Sequence, residues 1–339
     1  MARFVPLTVS AVRPEGEGAV CVTFAAPEGW RHLPGQYLTL RRPGGDVRRS
    51  YSIASKPGTL SVGIRWVEGG AFSEWAQGLA PGDVVEAMPP EGRFTLGGER
   101  RVLLVAAGSG ITPMIAIAAE VLERGGEAVL VYGNRGTATM MFKDAIEAMK
   151  DRYMGRFRAV HVLSREAQDV EVLNGRVDAA KLRDLAARGL IDAEVDAAFL
   201  CGPGDMIEAA KNALEEMGLS PERIRSERFA PAGAPLPPTR APARVPEGAE
   251  VEVVLDGARR RFAMGDAATV LDAAEAAGLE LPWSCRGGMC CTCRCHVAEG
   301  AAEMAVNYSL EPWEVEAGYV LGCQSRPLTD RLVLDFDRA

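Results

Sequence analysis

The stretch CRGGMCCTCRC, residues 285–295, packs five cysteines into eleven residues, which leaves the local chain few ways to fold. Cys285, Cys290 and Cys293 have the spacing C-x4-C-x2-C, and Cys323 follows after twenty-nine intervening residues. Three thiolates from one tight loop and a fourth from a returning segment suit a 2Fe-2S cluster, because two irons and two bridging sulfides need ligands converging from two sides. Gly287 and Gly288 let the loop curl so that backbone N–H groups face the sulfides. Other sites fit less well. A four-cysteine zinc site usually takes two C-x2-C pairs, and only one is present. Haem attachment needs C-x-x-C-H, but Thr292 stands three places before Cys295 and His296. A thioredoxin-type C-x-x-C would open a helix after a strand, without two more cysteines at ligand distance. Cys291 and Cys295 alternate with the ligands and are expected to pack as small hydrophobes.

Only Cys21 and Cys201 lie outside the last quarter of the chain. Crowded cysteines without a secretory leader point to metal or redox chemistry in the cytoplasm rather than to a disulfide scaffold. The apolar run from Val102 to Leu122 is broken by Gly108, Ser109, Gly110, Thr112 and Pro113, so it reads as strand, loop and helix rather than a membrane span. Charge is uneven. Residues 1–246 carry 30 acidic and 30 basic side chains, whereas residues 247–339 carry 16 and 8, which makes nucleic acid an unsuitable partner for the tail.

With 339 residues, more than one domain is expected. Residues 1–99 alternate short apolar runs (AVCVTFAA, QYLTLRR, LSVGIRWV) with turn pairs such as Pro34-Gly35 and Pro81-Gly82, the pattern of a small antiparallel β-barrel or sandwich. Residues 100–229 switch to strand–helix alternation, the pattern of an α/β domain with a parallel sheet. Residues 230–246, APAGAPLPPTRAPARVP, read as a Pro/Ala linker. Residues 247–339 open with two alternating runs around Asp256-Gly257, a hairpin signal, and continue as a helix, the cysteine loop and a closing strand.

This last unit resembles a plant-type ferredoxin domain: the hairpin, the helix, LPWSCRGGMCCTCRC and YVLGCQSRP fall in that family's order, which implies an α+β (β-grasp) fold. A cluster joined to further domains needs an electron source. In RSYSIAS, Arg49 offers a cation for a diphosphate, Tyr51 a ring to stack on a flavin, and Ser52 a hydroxyl for the ring edge. In GIRWVEGGAFS, Arg65 adds a cation, and Gly69-Gly70, ahead of Phe72 and Ser73, let backbone amides approach phosphate. AAGSGITP sets Gly108, Gly110, Thr112 and Pro113 between a strand and a helix, where a pyrophosphate meets the helix N-terminus. Together with CGPGDM (Cys201, Gly202, Pro203) and SERF (Glu227), these segments resemble the ferredoxin–NADP reductase family. The resemblance implies an FAD-binding barrel and a nucleotide domain. It also implies Ser52, Cys201 and Glu227 near the reacting rings.

After the second strand of the α/β unit the chain reads VLVYGNR, with Arg135 and no acid at the turn. The next strand ends VLSRE, and Ser164-Arg165 match the pair that holds the 2′-phosphate in NADP-using relatives, with Arg176 as a further cation; NADPH is the expected donor. NYSLEPWEVEAGYVLGCQSRP, residues 307–327, extends the likeness to the reductase subunits of phenylacetyl-CoA epoxidase systems, which feed a separate di-iron oxygenase. That resemblance implies oxygenase subunits as the electron acceptor, and gives the acidic tail a reading as a docking face. A reductase of the same build serving another ring hydroxylase or a hybrid-cluster protein, a cluster-based redox sensor, and a flavin reductase with a structural zinc tail remain as alternatives.

Overall fold

The computed structural model describes residues 4–229 and 245–338, which belong to two compact units. The linker expected over 230–246 lies outside the described residues as far as 244.

The first unit begins with β1 (Val5–Pro14), β2 (Ala19–Phe24), β3 (Tyr37–Arg41), β4 (Arg48–Ser52), β5 (Leu60–Arg65), α1 (Ala71–Ala76) and β6 (Val84–Ala87). The strands form an antiparallel sheet in the order β4-β3-β6-β1-β2-β5. A single bridge between Ile53, just past β4, and Val62 on β5 links the two edges and closes the barrel at that point. Inward residues such as Leu38, Leu40, Val62 and Ile64 fill it, and α1 plugs it with Phe72.

The same unit continues with β7 (Arg101–Ala107), α2 (Ile111–Glu123), β8 (Glu127–Asn134), α3 (Lys143–Arg152), β9 (Phe157–Leu163), α4 (Ala179–Ala187), β10 (Ala197–Gly202), α5 (Gly204–Glu216) and β11 (Ile224–Arg228). All pairings are parallel, in the order β11-β10-β7-β8-β9. The strands read as unbroken apolar runs because both faces are covered. Along β7, Val102, Leu104 and Ala106 enter one core, while Leu103 and Val105 enter the other. The first of these cores also takes Cys21 and Ala54 from the barrel, so barrel and nucleotide sheet share apolar packing. Strand order reverses at β7: the chain leaves it towards β8 and β9, then crosses back to β10. The carboxyl ends of β7 and β10 therefore flank the crevice where open α/β sheets bind ligands.

The second unit holds β12 (Glu250–Leu255), β13 (Ala258–Ala263), α6 (Val270–Ala276), β14 (Arg294–Glu299), β15 (Ala302–Met304), α7 (Pro312–Glu316), β16 (Tyr319–Leu321), β17 (Ser325–Pro327) and β18 (Arg331–Asp335). Its main sheet runs β13-β12-β18-β14-β16, with a parallel β12–β18 pair at the centre, and β15 pairs with β17. The β12–β13 turn has Asp256 and Gly257 both at positive φ (53° and 71°), as a two-residue hairpin of that hand requires. Among the described residues no helix is long and apolar enough to cross a membrane. The strand β1 and the helices α1, α3 and α7 are elements that the sequence reading left unnamed.

Candidate functional site

At the switch point two glycines act for different reasons. Gly108 has a φ of 56°, with open space where a Cβ would stand. Gly110 has an ordinary helical φ of −61°, but its Cβ would lie 2.0 Å from the carbonyl oxygen of Cys201. One glycine frees the turn; the other lets β7 and β10 approach. The turn is braced from below. Tyr132 on β8, fully buried, donates its hydroxyl to the Gly108 carbonyl at 3.0 Å and accepts from the Met141 N–H at 3.2 Å. Burial pushes the Tyr132 phenol up to about 12, so it stays a donor. Thr112 donates to the Ser109 carbonyl at 2.9 Å, while its methyl reaches barrel strand β5, where a Cβ on Gly63 would lie 2.7 Å away. Pro113 is buried in the first turn of α2, where its missing N–H costs nothing.

The barrel brings β4 to the same crevice. Ser52, buried at the end of β4, donates to Glu227 Oε2 at 3.2 Å across 175 residues of sequence. Glu227 on β11 is paired in register with Cys201 on β10. Ser52, Cys201 and Glu227 are thus assembled at one place, as the sequence suggested. Burial pushes the Glu227 carboxyl up to about 7, partly opposed by the Ser52 hydrogen bond. Burial, and then the Glu227 charge, push the Cys201 thiol up, so it sits there as a neutral SH rather than a nucleophile. Tyr51 is half-buried, its ring 5.4 Å from Phe72, which in turn meets Trp75 at 5.3 Å. Phe72 backs Tyr51 from within the barrel core rather than reaching outward. Arg49 is exposed and donates to its neighbour's carbonyl, that of Arg48.

Two expected contacts are occupied within the protein. Ser73 closes the Gly69-Gly70 turn on itself, accepting from Val67 N–H at 3.2 Å and donating to the Gly70 carbonyl at 3.1 Å. Arg65 reaches the Thr139 carbonyl at 2.6 Å, joining β5 to the loop after β8. Its buried Nε has no hydrogen-bond partner, and burial lowers its pKa. A buried guanidinium with a spare donor suits an anionic phosphate.

Arg135, Ser164, Arg165 and Arg176 gather at the carboxyl ends of β8 and β9: the Arg165 N–H donates to the Arg135 carbonyl at 2.8 Å, that of Ser164 to Asn134 at 2.9 Å, and Gly175 to Leu163 at 2.8 Å. The sequence reading missed Glu166, the next residue. Its carboxylate accepts from both the N–H and the hydroxyl of Thr137 at 2.6 Å, and these bonds hold its pKa below the usual range. The signal was present in VLSRE, but nothing local said which way that acid would turn.

In the second unit the four predicted ligands gather as two pairs. Cys285 and Cys290 share a hydrogen bond, as do Cys293 and Cys323. Backbone amides point at the sulfurs: Cys285 N–H to Cys290 at 3.5 Å, Gly287 N–H to Cys285 at 3.3 Å, and Cys323 N–H to Cys293 at 3.4 Å. The proton held by Cys290 and three amides bring the Cys285 thiol down to about 5. Among the described residues no three ligating side chains converge on one point for a single ion. Two pairs with amide donors fit a 2Fe-2S cluster better than one tetrahedral zinc. Cys295 is fully buried with its thiol towards the Val320 carbonyl, and Cys291 is half-buried with a φ of 57°.

Family models agree with this division. That for oxidoreductase FAD-binding domains matches residues 22–96, that for oxidoreductase NAD-binding domains residues 104–212, and that for 2Fe-2S iron–sulfur cluster binding domains residues 253–328. The chain is 42% identical to one of the subunits of the 1,2-phenylacetyl-CoA epoxidase of Escherichia coli (strain K12), covering 99% of both. The chain belongs to the ferredoxin–NADP reductase family. It is one of the members with a C-terminal 2Fe-2S domain, so its cofactors are FAD, a nicotinamide nucleotide and a 2Fe-2S cluster. It is also 37% identical to the ferredoxin reductase component of 3-ketosteroid-9-alpha-monooxygenase from Rhodococcus rhodochrous, over 99% of this chain and 97% of that one. The structure of phthalate dioxygenase reductase, described as modular for electron transfer from pyridine nucleotides to 2Fe-2S, superposes with a TM-score of 0.60 over 98% of both chains at 21% identity, a likeness of fold. The chain is thus an oxidoreductase built to pass electrons between a nicotinamide nucleotide, FAD and a 2Fe-2S cluster, and the two relatives named above are components of oxygenase systems.

The raised pKa of Glu227 has a stability consequence. Its protonated form favours the folded state; that contribution is complete below the unfolded value of 4.5 and is lost as pH rises through about 7. Glu227→Gln, which keeps an acceptor for Ser52, should therefore be more stable than the parent at pH 8, by at most about 3 kcal/mol, and no more stable at pH 4.5. Thermal unfolding of the holoprotein across that range checks it; an equal difference at both pH values would contradict it.

Proposed function

We propose that this reductase takes electrons from NADPH and delivers them to a di-iron oxygenase component, that of a phenylacetyl-CoA epoxidase. The observation that carries the acceptor is the 42% identity, over 99% of both chains, to a subunit of such an epoxidase. When bound, FAD would supply hydride acceptance from the nicotinamide and one-electron release, and the 2Fe-2S cluster would supply single-electron transfer.

The chain's own residues position and shield. Cys201 and Glu227 close the crevice floor, and Ser52 and Glu227 hold a shared proton between Oγ and Oε2 at the barrel side. Tyr51, backed by Phe72, offers the flat face a flavin ring needs. The four cysteines, paired and amide-bonded, hold the cluster.

Reconstitution tests the acceptor. With the catalytic subunits of a phenylacetyl-CoA epoxidase, NADPH consumption should match epoxide formation. A steroid monooxygenase is the contrasting acceptor, because its reductase component shares 37% of this sequence. Turnover with that acceptor alone would overturn the assignment.

Support for NADPH comes from Arg135, Arg165 and Arg176 around Ser164, and from Glu166 being held by Thr137. Arg165→Ala should lower kcat/KM for NADPH by about 10- to 100-fold, the worth of a charged hydrogen bond, and leave NADH almost unchanged. An equal fall for both nucleotides would remove the phosphate role.

A further inference from the structure

The second unit carries an exposed apolar feature. Trp313 is 57% exposed and Val315 41% exposed, both on the five-residue helix α7. Val315 also lines a groove of about 470 Å³ whose other walls include Val297, Ala302, Met304 and Val320. An exposed tryptophan beside an apolar groove is the usual core of a binding surface, where a few large side chains carry most of the energy.

Charge surrounds the feature. Glu303 lines the groove, Glu311 and Glu316 lie on or beside α7, and residues 247–339 carry twice as many acidic as basic side chains. An acidic rim around an apolar centre fits a partner with a basic rim and an apolar side chain to insert.

The helix is also tied to the cluster segment. Glu314 is buried in α7: its Oε1 accepts from Arg294 at 2.9 Å, and its Oε2 from the Glu311 N–H at 3.0 Å. Arg294, itself buried and 3.4 Å over the Tyr319 ring, directly follows the ligand Cys293. A buried ion pair is a poor source of net stability compared with apolar packing, but it fixes geometry, because either charge alone would be costly. Here it sets α7 against β14, one residue from a cluster ligand.

We propose that α7 and the adjoining groove form the surface on which the oxygenase component docks to receive electrons, Trp313 and Val315 being its apolar centre and the glutamates its rim. The proposal rests on the reading that an oxygenase component is the acceptor, and it identifies the surface that component uses.

The test uses the full-length holoprotein. In Trp313→Ala and Val315→Lys, the apparent KM for the oxygenase component should rise about tenfold or more. NADPH–ferricyanide turnover and single-turnover cluster reduction by NADPH, followed by absorbance, should stay at parent values. Higher salt should raise the parent's KM for the oxygenase without changing ferricyanide turnover. Glu28→Lys, an exposed charge change on the flavin unit, should leave every quantity unchanged. The inference falls if the parent supports oxygenase turnover and both α7 variants match it. The underlying reading falls instead if the parent reduces ferricyanide and its own cluster but drives no oxygenase component.

Discussion

Cys323→Ala should abolish electron delivery to an oxygenase, by at least about a hundredfold, while NADPH–ferricyanide turnover at the flavin stays within twofold. Iron content and the visible absorption of the cluster should fall together. The reason is geometric. Of the four proposed ligands, Cys323 alone comes from the returning segment, and it stands against Cys293, whose sulfur accepts the Cys323 N–H. The spare thiols offer no replacement. Cys295 is fully buried on β14 with its thiol turned to the Val320 carbonyl. Cys291 is fixed by the positive φ of a tight loop. A variant that kept full iron and full oxygenase turnover would show that the four-cysteine assignment is wrong.

Gly110→Ala should lower kcat/KM for the nicotinamide nucleotide by about a hundredfold, the effect of moving a reacting geometry by some 1 Å. The backbone angle of Gly110 suits alanine, so conformational freedom is not at issue. The difficulty is space: the new methyl would stand 2.0 Å from the Cys201 carbonyl oxygen and 2.5 Å from its carbon. Neither is the end of a flexible side chain, so β7 and β10 would have to separate where Cys201 and Glu227 meet. Gly108→Ala provides the contrast. It places a left-handed residue in open space and should cost only about 1 kcal/mol of stability. Steady-state kinetics and thermal unfolding of the two variants separate close approach from backbone strain. Equal, mild effects would show that the strands yield at little cost.

The site was legible in unequal parts. The four cysteines proposed as ligands were legible as a set, because thiolate chemistry permits few spacings and Cys285, Cys290, Cys293 and Cys323 keep one of them, and the fold brings them together as two pairs. The glycine turn at 108–110 was legible as a turn, but the motif does not reveal that Gly110 exists for Cys201. Arg65 and Ser73 were read as cofactor contacts, and the fold adds what the sequence could not show, their internal bonds to Thr139, Val67 and Gly70. Phe72 was read as a contact and lies in the core behind Tyr51. Tyr132 escaped notice because an apolar strand hides a tyrosine whose partner, the Gly108 carbonyl, is 24 residues away.

Whatever depends on neighbours along the chain was already fixed by residue order: the cysteine loop, the alternation of strand and helix, the turn residues, and the uneven charge of the last ninety residues. Whatever depends on residues far apart in sequence had to wait for the fold. Folding set Ser52 against Glu227 across 175 residues, raised that carboxyl towards 7 by burying it, and tied α7 to a cluster ligand through Glu314 and Arg294. Burial and long-range pairing arise from packing, and packing is a property of the folded surface rather than of any local run of residues.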